Sequence, residues 1–348
     1  MIALGIETSC DETSVAVVAV KDNQPEILAQ EISSQIKVHR PFGGVVPELA
    51  TRQHLLHIEP MFQRVLKQAN MTIHDLHVIG VTQGPGLASS LLIGLSFAKA
   101  LSIASNIPWL GINHLEGHLI SPFLSQGILP HYPHIGLIIS GGNTQIIHVK
   151  DLMQYDIIGS TRDDAVGEAY DKVAKMLNMP YPGGPQIETH AKNGNVKAIN
   201  LPRAMLNSGD LSFSFSGLKT AIRVYLKENP QVLESENMIA DLCASFQQAV
   251  IDVLIAKTFS AAMELGIQTV TLSGGVSCNK SICEAFLKKA EAKAIKCLVT
   301  QSALSTDNAS MIALVAALHH QSGQRPDWSA DINPNLRLTP GWSKQNYR

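Results

Sequence analysis

The sequence predicts an α/β fold in two lobes, each built on a mixed sheet flanked by helices. Three observations predict it. An apolar run at Ile2–Ile6, a polar turn at Glu7–Thr13 and a β-branched run at Ser14–Val20 read as a hairpin opening the chain. The same arrangement returns at Ile135–Ile139, Ser140–Thr144 and Gln145–Val149, and in part where Val270–Leu272 runs into Ser273–Ser277. Strand patterns then alternate with helical ones, as in an α/β fold.

In chain order, Gln30–Ser34 reads as a third strand and Val46–Gln68 as a helix. Val78–Thr82 is a strand ending at Gly84-Pro85-Gly86. The apolar stretch that follows, to about Ala104, carries Lys99 and several serines, which fits a buried helix better than a membrane span. Further helices are expected over Gly167–Leu177, Ile239–Leu265, from about Lys280, and over Asn308–His320, with a strand at Ala294–Thr300. The chain has 348 residues, 45% hydrophobic and 16% charged, enough for a sizeable core and two or three domains. Lys+Arg number 27 against 29 Asp+Glu, a net charge of −2, so bulk charge announces no nucleic-acid partner. Five cysteines without a CxxC spacing suit free thiols in a reducing, cytoplasmic setting. The N-terminus has no basic region and meets acids at Glu7, Asp11 and Glu12, so it does not read as a signal peptide.

Four patterns carry chemistry. His114 and His118, four residues apart, share one face of a helix and can hold one metal ion; the bland alternative is two surface histidines. Glu116 lies on the opposite face, two residues from each, so the order is not that of a zinc protease. Asp307 precedes a helix, either as its cap or as a third ligand, and two His with one Asp suit iron(II) or zinc. The turns Gly141-Gly142, Gly183-Gly184 and Gly274-Gly275 let backbone N–H groups approach an anion, which points to a nucleotide; none is a P-loop or a GxGxxG. Asp163 and its neighbours are acids at a helix start, and Asp171 either completes that pattern or accepts from a ribose or base. Asp11 and Glu12 at the first hairpin tip are either solvated acids or groups that serve as a general base.

Together these segments resemble the universal tRNA N6-adenosine threonylcarbamoyltransferase family. The matching stretches include GIETSCDET (5–13), GGVVPELATRQH (43–54), GPGLASSLLIG (84–94), HLEGH (114–118), SGGNTQ (140–145), DDAVGEAYDKVAK (163–175), YPGGP (181–185), SGGVSCNK (273–280) and STDNASMIA (305–313). They run in order along nearly the whole chain. Asn113, Asn143, Tyr170 and Ser310 depart from the commonest bacterial pattern, and none is a proposed ligand.

The resemblance implies the actin-like ATPase (ASKHA) fold. It implies an N-terminal lobe over 1–133 completed by a helix at about 305–325, a C-terminal lobe over 134–304 and an extended tail over 326–348. It implies transfer of threonylcarbamoyl from threonylcarbamoyl-adenylate to N6 of adenosine 37 in tRNAs reading ANN codons, giving t6A and AMP. Carried over by motif, His114, His118 and Asp307 hold one divalent ion, iron(II) before zinc. Ile138, Ile139, Ser140, Gly141, Gly142, Asp171, Gly184, Gly274, Gly275 and Asn279 hold the nucleotide, and Asp11 and Glu12 flank the reacting centre. The implied partners are tRNA, a shorter actin-like paralogue forming a heterodimer, and a small P-loop ATPase, with no membrane. Arg162, Lys172, Lys175, Arg203, Lys219 and Arg223 are basic candidates toward tRNA, with weak affinity expected from this chain alone. A sugar kinase would share the fold but hold magnesium through oxygens, which the His pair opposes. A chaperone-like ATPase would need neither histidine.

Overall fold

Period-two alternation sets the first sheet. In the computed structural model, which describes residues 1–338, β1 (Ile2–Glu7) sends Leu4 and Ile6 into one apolar cluster and Ala3 into another. It is followed by β2 (Glu12–Lys21), β3 (Gln24–Ser34), α1 (Ile36–His39), α2 (Pro47–Gln68), β4 (Val78–Gly84), α3 (Ala88–Ser105), β5 (Trp109–Asn113) and α4 (His114–Leu124). Then come β6 (His134–Ile139), β7 (Thr144–Asp151), β8 (Gln154–Ser160), α5 (Val166–Met176), α6 (Gly183–Ala191), α7 (Ser216–Glu228) and α8 (Glu236–Glu264). The chain closes with β9 (Thr269–Ser273), α9 (Lys280–Ala292), β10 (Lys296–Val299), α10 (Ser302–Ser305) and α11 (Ala309–Gln321). Two units result. The first holds Met1–Tyr132, Asp151–Tyr155 and the residues from Thr300; the second holds Pro133–Lys150 and Asp156–Val299.

The two sheets share one strand order. In the first it is β3-β2-β1-β4-β5, in the second β8-β7-β6-β9-β10. In each, the central strand pairs antiparallel with the strand that follows it and parallel with a later one: β1 with β2 and β4, β6 with β7 and β9. The repeated hairpin seen in the sequence is therefore the centre of a repeated sheet.

In the first unit α2 and α3 cover one face of the sheet and α11 with α4 the other. The seat of α11 is made by paired glycines. Gly5 and Gly80 face each other across β1 and β4. A Cβ on Gly5 would lie 2.0 Å from the Ala309 carbonyl oxygen, and one on Gly80 2.5 Å from the Ala316 Cβ. In the second unit α5, α6, α7, α8 and α9 contribute to a single core with β6 and β9.

Several elements differ from the sequence reading. β3 starts at Gln24 rather than Gln30, and β5, β8, α6 and α7 carried too weak a period to be foreseen. The strand expected at Ala294–Thr300 shrinks to β10, because Ala294 adopts φ 53° and cannot extend. The stretch after Gly86 is not a buried helix. One side of α3, with Leu91, Leu95 and Ala98, packs inward while Leu92 and Ile103 are exposed. By length and composition α3 and α8 could each cross a membrane, yet α8 is mostly buried inside its unit. The expected tail is held down over its described part: the Lys99 amine donates to the Ala330 carbonyl, and Asn333 N–H to that of Gln83. Residues 339–348 of that tail lie outside the described residues.

Candidate functional site

The cluster of His114, His118 and Asp307 is built from two helix starts in the first unit. Asn113 caps α4, its Oδ1 accepting from the Leu115 N–H at 2.9 Å, so the helix begins at His114 and its next turn carries His118. The cap of α11 is Asn308, whose side chain accepts from the Met311 N–H at 3.1 Å. Asp307, expected as a possible cap, is therefore free of that duty and turns to the histidines. Its Oδ1 lies 3.1 Å from His118 Nε2 and 3.3 Å from His114 Nε2. One ligand atom from each of the three lies within 4.8 Å of the others.

Glu7, which the sequence reading left in the turn, completes this site. Its Oε2 sits 2.9 Å from His114 Nδ1 and accepts from the Thr82 hydroxyl at 2.6 Å, while Oε1 accepts from the Ser9 N–H. A carboxylate on Nδ1 holds the proton there, so Nε2, which faces Asp307, is the nitrogen that would give its lone pair to a metal. Burial opposes the Glu7 charge, but His114 outweighs it and holds the carboxyl below its usual range. Burial likewise opposes charge on His114, and Asp307 and Glu7 together raise its pKa well above the ordinary value. Asp307 is held far below the usual carboxylate range against its own burial, by His114 and then His118. Two imidazole nitrogens and one carboxylate oxygen, with a hydrogen-bonded second ring nitrogen on His114, are donors that fit iron(II) or zinc.

Asp11 and Glu12 are not solvated turn acids; each is only 9% exposed. The turn is clamped by residues the sequence reading did not single out. Gln35 N–H donates to the Asp11 carbonyl at 3.0 Å, and His54 bridges the Cys10 carbonyl and the Thr13 hydroxyl. Burial, with Asp307 and Asp11 nearby, pushes the Glu12 carboxyl well above its usual range.

The second unit carries a recess of about 180 Å³. Of the expected nucleotide residues, Gly141, Asp171, Gly184, Gly275 and Asn279 line it. No atom lies within 4 Å of where a Cβ would stand on Gly141, Gly184 or Gly275, so packing does not require glycine there. What the missing side chain provides is open backbone. Asp171 accepts from the Gly183 N–H at 2.7 Å, and Asn279 both caps α9 and donates to Gln247. Ile138 and Ile139 are fully buried in β6, directly before the Ser140 turn. Gly274, at φ 91°, is backed against the Ile139 carbonyl and serves close strand packing; Ser140 and Gly142 are not in the lining. Tyr170, Glu188 and Cys278 do line the recess, unforeseen. Asp163 does not cap α5, whose cap is Ala165. It accepts from the Ser214 and Ser216 hydroxyls and the Phe215 N–H at the start of α7. Of the basic candidates, Arg162, Lys172, Arg203 and Lys219 are engaged in ion pairs within the unit.

This two-sheet arrangement is shared with solved structures. HypF from T. kodakarensis superposes with a TM-score of 0.62 at 13% identity, over 92% of this chain and 48% of that one. Component A of the (R)-2-hydroxyglutaryl-CoA dehydratase of Acidaminococcus fermentans gives 0.52 at 14% identity, over 92% and 99%. The class is thus the actin-like ATPase fold, here with a His–His–Asp cluster in its first unit. Within that class, the profile of the TsaD family, tRNA N6-adenosine threonylcarbamoyltransferase, matches residues 26–314. The tRNA N6-adenosine threonylcarbamoyltransferase of Desulfotalea psychrophila is 48% identical over 323 residues, 92% of either chain. The chain belongs to the TsaD family of tRNA N6-adenosine threonylcarbamoyltransferases.

Proposed function

We propose that this chain transfers the threonylcarbamoyl group from threonylcarbamoyl-adenylate to N6 of adenosine 37 in ANN-reading tRNAs, releasing AMP. Family membership supports the reaction, and the convergence of His114, His118 and Asp307 carries the site reading. His114, His118 and Asp307 hold one divalent ion, iron(II) or zinc, with Glu7 orienting His114. When bound, that ion supplies Lewis-acid polarisation of a carbonyl or phosphate oxygen.

The remaining roles fall to the protein's own groups. The open backbone at Gly141, Gly184 and Gly275 receives the adenylate, with Asp171 toward the ribose. N6 attacks the carbamoyl carbon, the bond from that carbon to the phosphate oxygen breaks, and N6 gives up a proton. Asp11 or Glu12, both nearly buried where the first turn enters β2, is the candidate base that takes it. The shorter actin-like paralogue and the small P-loop ATPase act as partners in the cytoplasm.

The test is mass spectrometry of nucleosides from unmodified ANN-reading tRNA incubated with this protein, its partners and fresh threonylcarbamoyl-adenylate. Wild type is expected to form threonylcarbamoyladenosine and His114→Ala/His118→Ala to form none. Product from both would discard the metal's part in the reaction. No product from either, beside an active relative, would overturn the assignment.

A further inference from the structure

Glu116 has no part in the chemistry above. It lies on α4, two residues from each histidine, which turns it roughly 200° away from them. It is fully buried, and its Oε1 accepts from His319 Nε2 at 2.7 Å and from the Tyr155 hydroxyl. Tyr155 and His319 are themselves 2% and 0% exposed. The Tyr155 oxygen is tied in turn to the Met153 N–H at 2.9 Å. His319 sits near the far end of α11, the helix whose start is preceded by Asp307.

α4 is consequently fastened to α11 on two sides. On one, His118 reaches Asp307, and Gly117 rests on Met311 and Ile312, where a Cβ would come within 2.9 Å of Met311 Cγ. On the other, Glu116 reaches His319. Apolar packing alone leaves a helix free to settle by small rotations about its axis; a buried carboxylate with two directed donors does not. A helix pinned on opposite faces has one rotation left, and that rotation aims both imidazoles at Asp307.

We propose that Glu116, through His319 and Tyr155, is a positioning residue for the metal centre, setting the rotation of α4 on which the convergence of the three ligands depends. This rests on the reading of His114, His118 and Asp307 as a metal site. Glu116 touches neither ligand nor substrate, so its loss acts on metal geometry and affinity while the recess of the second unit keeps its nucleotide affinity.

The test uses the full chain stripped of metal and titrated with zinc against a chromophoric chelator, with the cobalt(II) absorption spectrum as a readout of geometry. Glu116→Gln is expected to weaken zinc binding about 10- to 100-fold, the range for partners behind metal ligands, and to alter the cobalt spectrum. Tyr155→Phe, which removes one donor and keeps the ring, is expected to weaken it about 10-fold, the low end of that range. ADP titration should match wild type in both. A folded Glu116→Gln with zinc affinity within about twofold of wild type and an unchanged cobalt spectrum overturns the proposal; if that variant does not fold, the same result in Tyr155→Phe does so. Wild type that holds zinc no better than His114→Ala overturns the metal-site reading itself, and the positioning role with it.

Discussion

The His–His–Asp cluster of the first unit and the recess of the second are made in opposite ways. The cluster is an assembly of side chains, each aimed by another: Glu7 by Thr82 and Ser9, His114 by Glu7, α4 by Glu116 and His319. The recess is opened by main chain, with glycines at Gly141, Gly184 and Gly275 standing in open space among side chains such as Tyr170, Asp171 and Asn279. A site of side chains is specific but exposed to damage at every layer. A site of backbone tolerates change around it and fails when something is added.

Removing a ligand gives the largest effect. His114→Ala or Asp307→Ala should cost roughly 3–4 kcal/mol of metal binding, about 100- to 1,000-fold, by sharing the affinity of a structural zinc site among its ligands. Nucleotide binding should persist, and a metal titration beside a nucleotide titration checks both halves. Next comes the addition of one methyl in the first unit. Gly5→Ala places a carbon against the Ala309 carbonyl and should lower unfolding stability by about 2–3 kcal/mol in urea denaturation. The same methyl in the second unit sharpens the contrast. Gly184→Ala, in the first turn of α6, should leave stability equal or raised by up to about 1 kcal/mol. It should weaken ADP or adenylate binding on the order of 10-fold by blocking close backbone approach. If Gly5→Ala and Gly184→Ala behave alike, the distinction between the two kinds of glycine is wrong.

The smallest effect concerns a cap. Burial opposes the Asp163 charge, yet the Ser214 and Ser216 hydroxyls and nearby N–H groups hold its pKa below the ordinary value. A carboxylate lowered in the folded state stabilises above its unfolded pKa of about 3.9, and the gain disappears as pH falls through the folded value. Asp163→Asn should therefore melt below wild type at neutral pH, with the gap closing in acid; calorimetry from pH 7 to pH 3 reads it.

What could be read from the sequence was what is local. The His114–His118 spacing, the glycine turns and the repeated hairpin are short-range patterns, and each has a counterpart in the fold. Glu7 could not be assigned because its partner is 107 residues away, nor the Glu116–His319 bond, which joins residues 203 apart. Ile138 and Ile139 come to the nucleotide only through the family motif, and the fold buries both. His54 and Gln35 clamp the acid turn through contacts no periodicity announces. Gly5 and Gly80 looked like any small residue in an apolar strand.

Those two glycines have a wider consequence. Because α11 rests on bare main chain at Gly5 and Gly80, the height of Asp307 above the sheet is a backbone dimension. A helix resting on side chains inherits their rotamer hopping, while one resting on peptide planes inherits the stiffness of the ladder beneath it. The placing of the carboxylate thereby depends on the main chain of the same strand, β1, whose last residue, Glu7, holds the His114 imidazole.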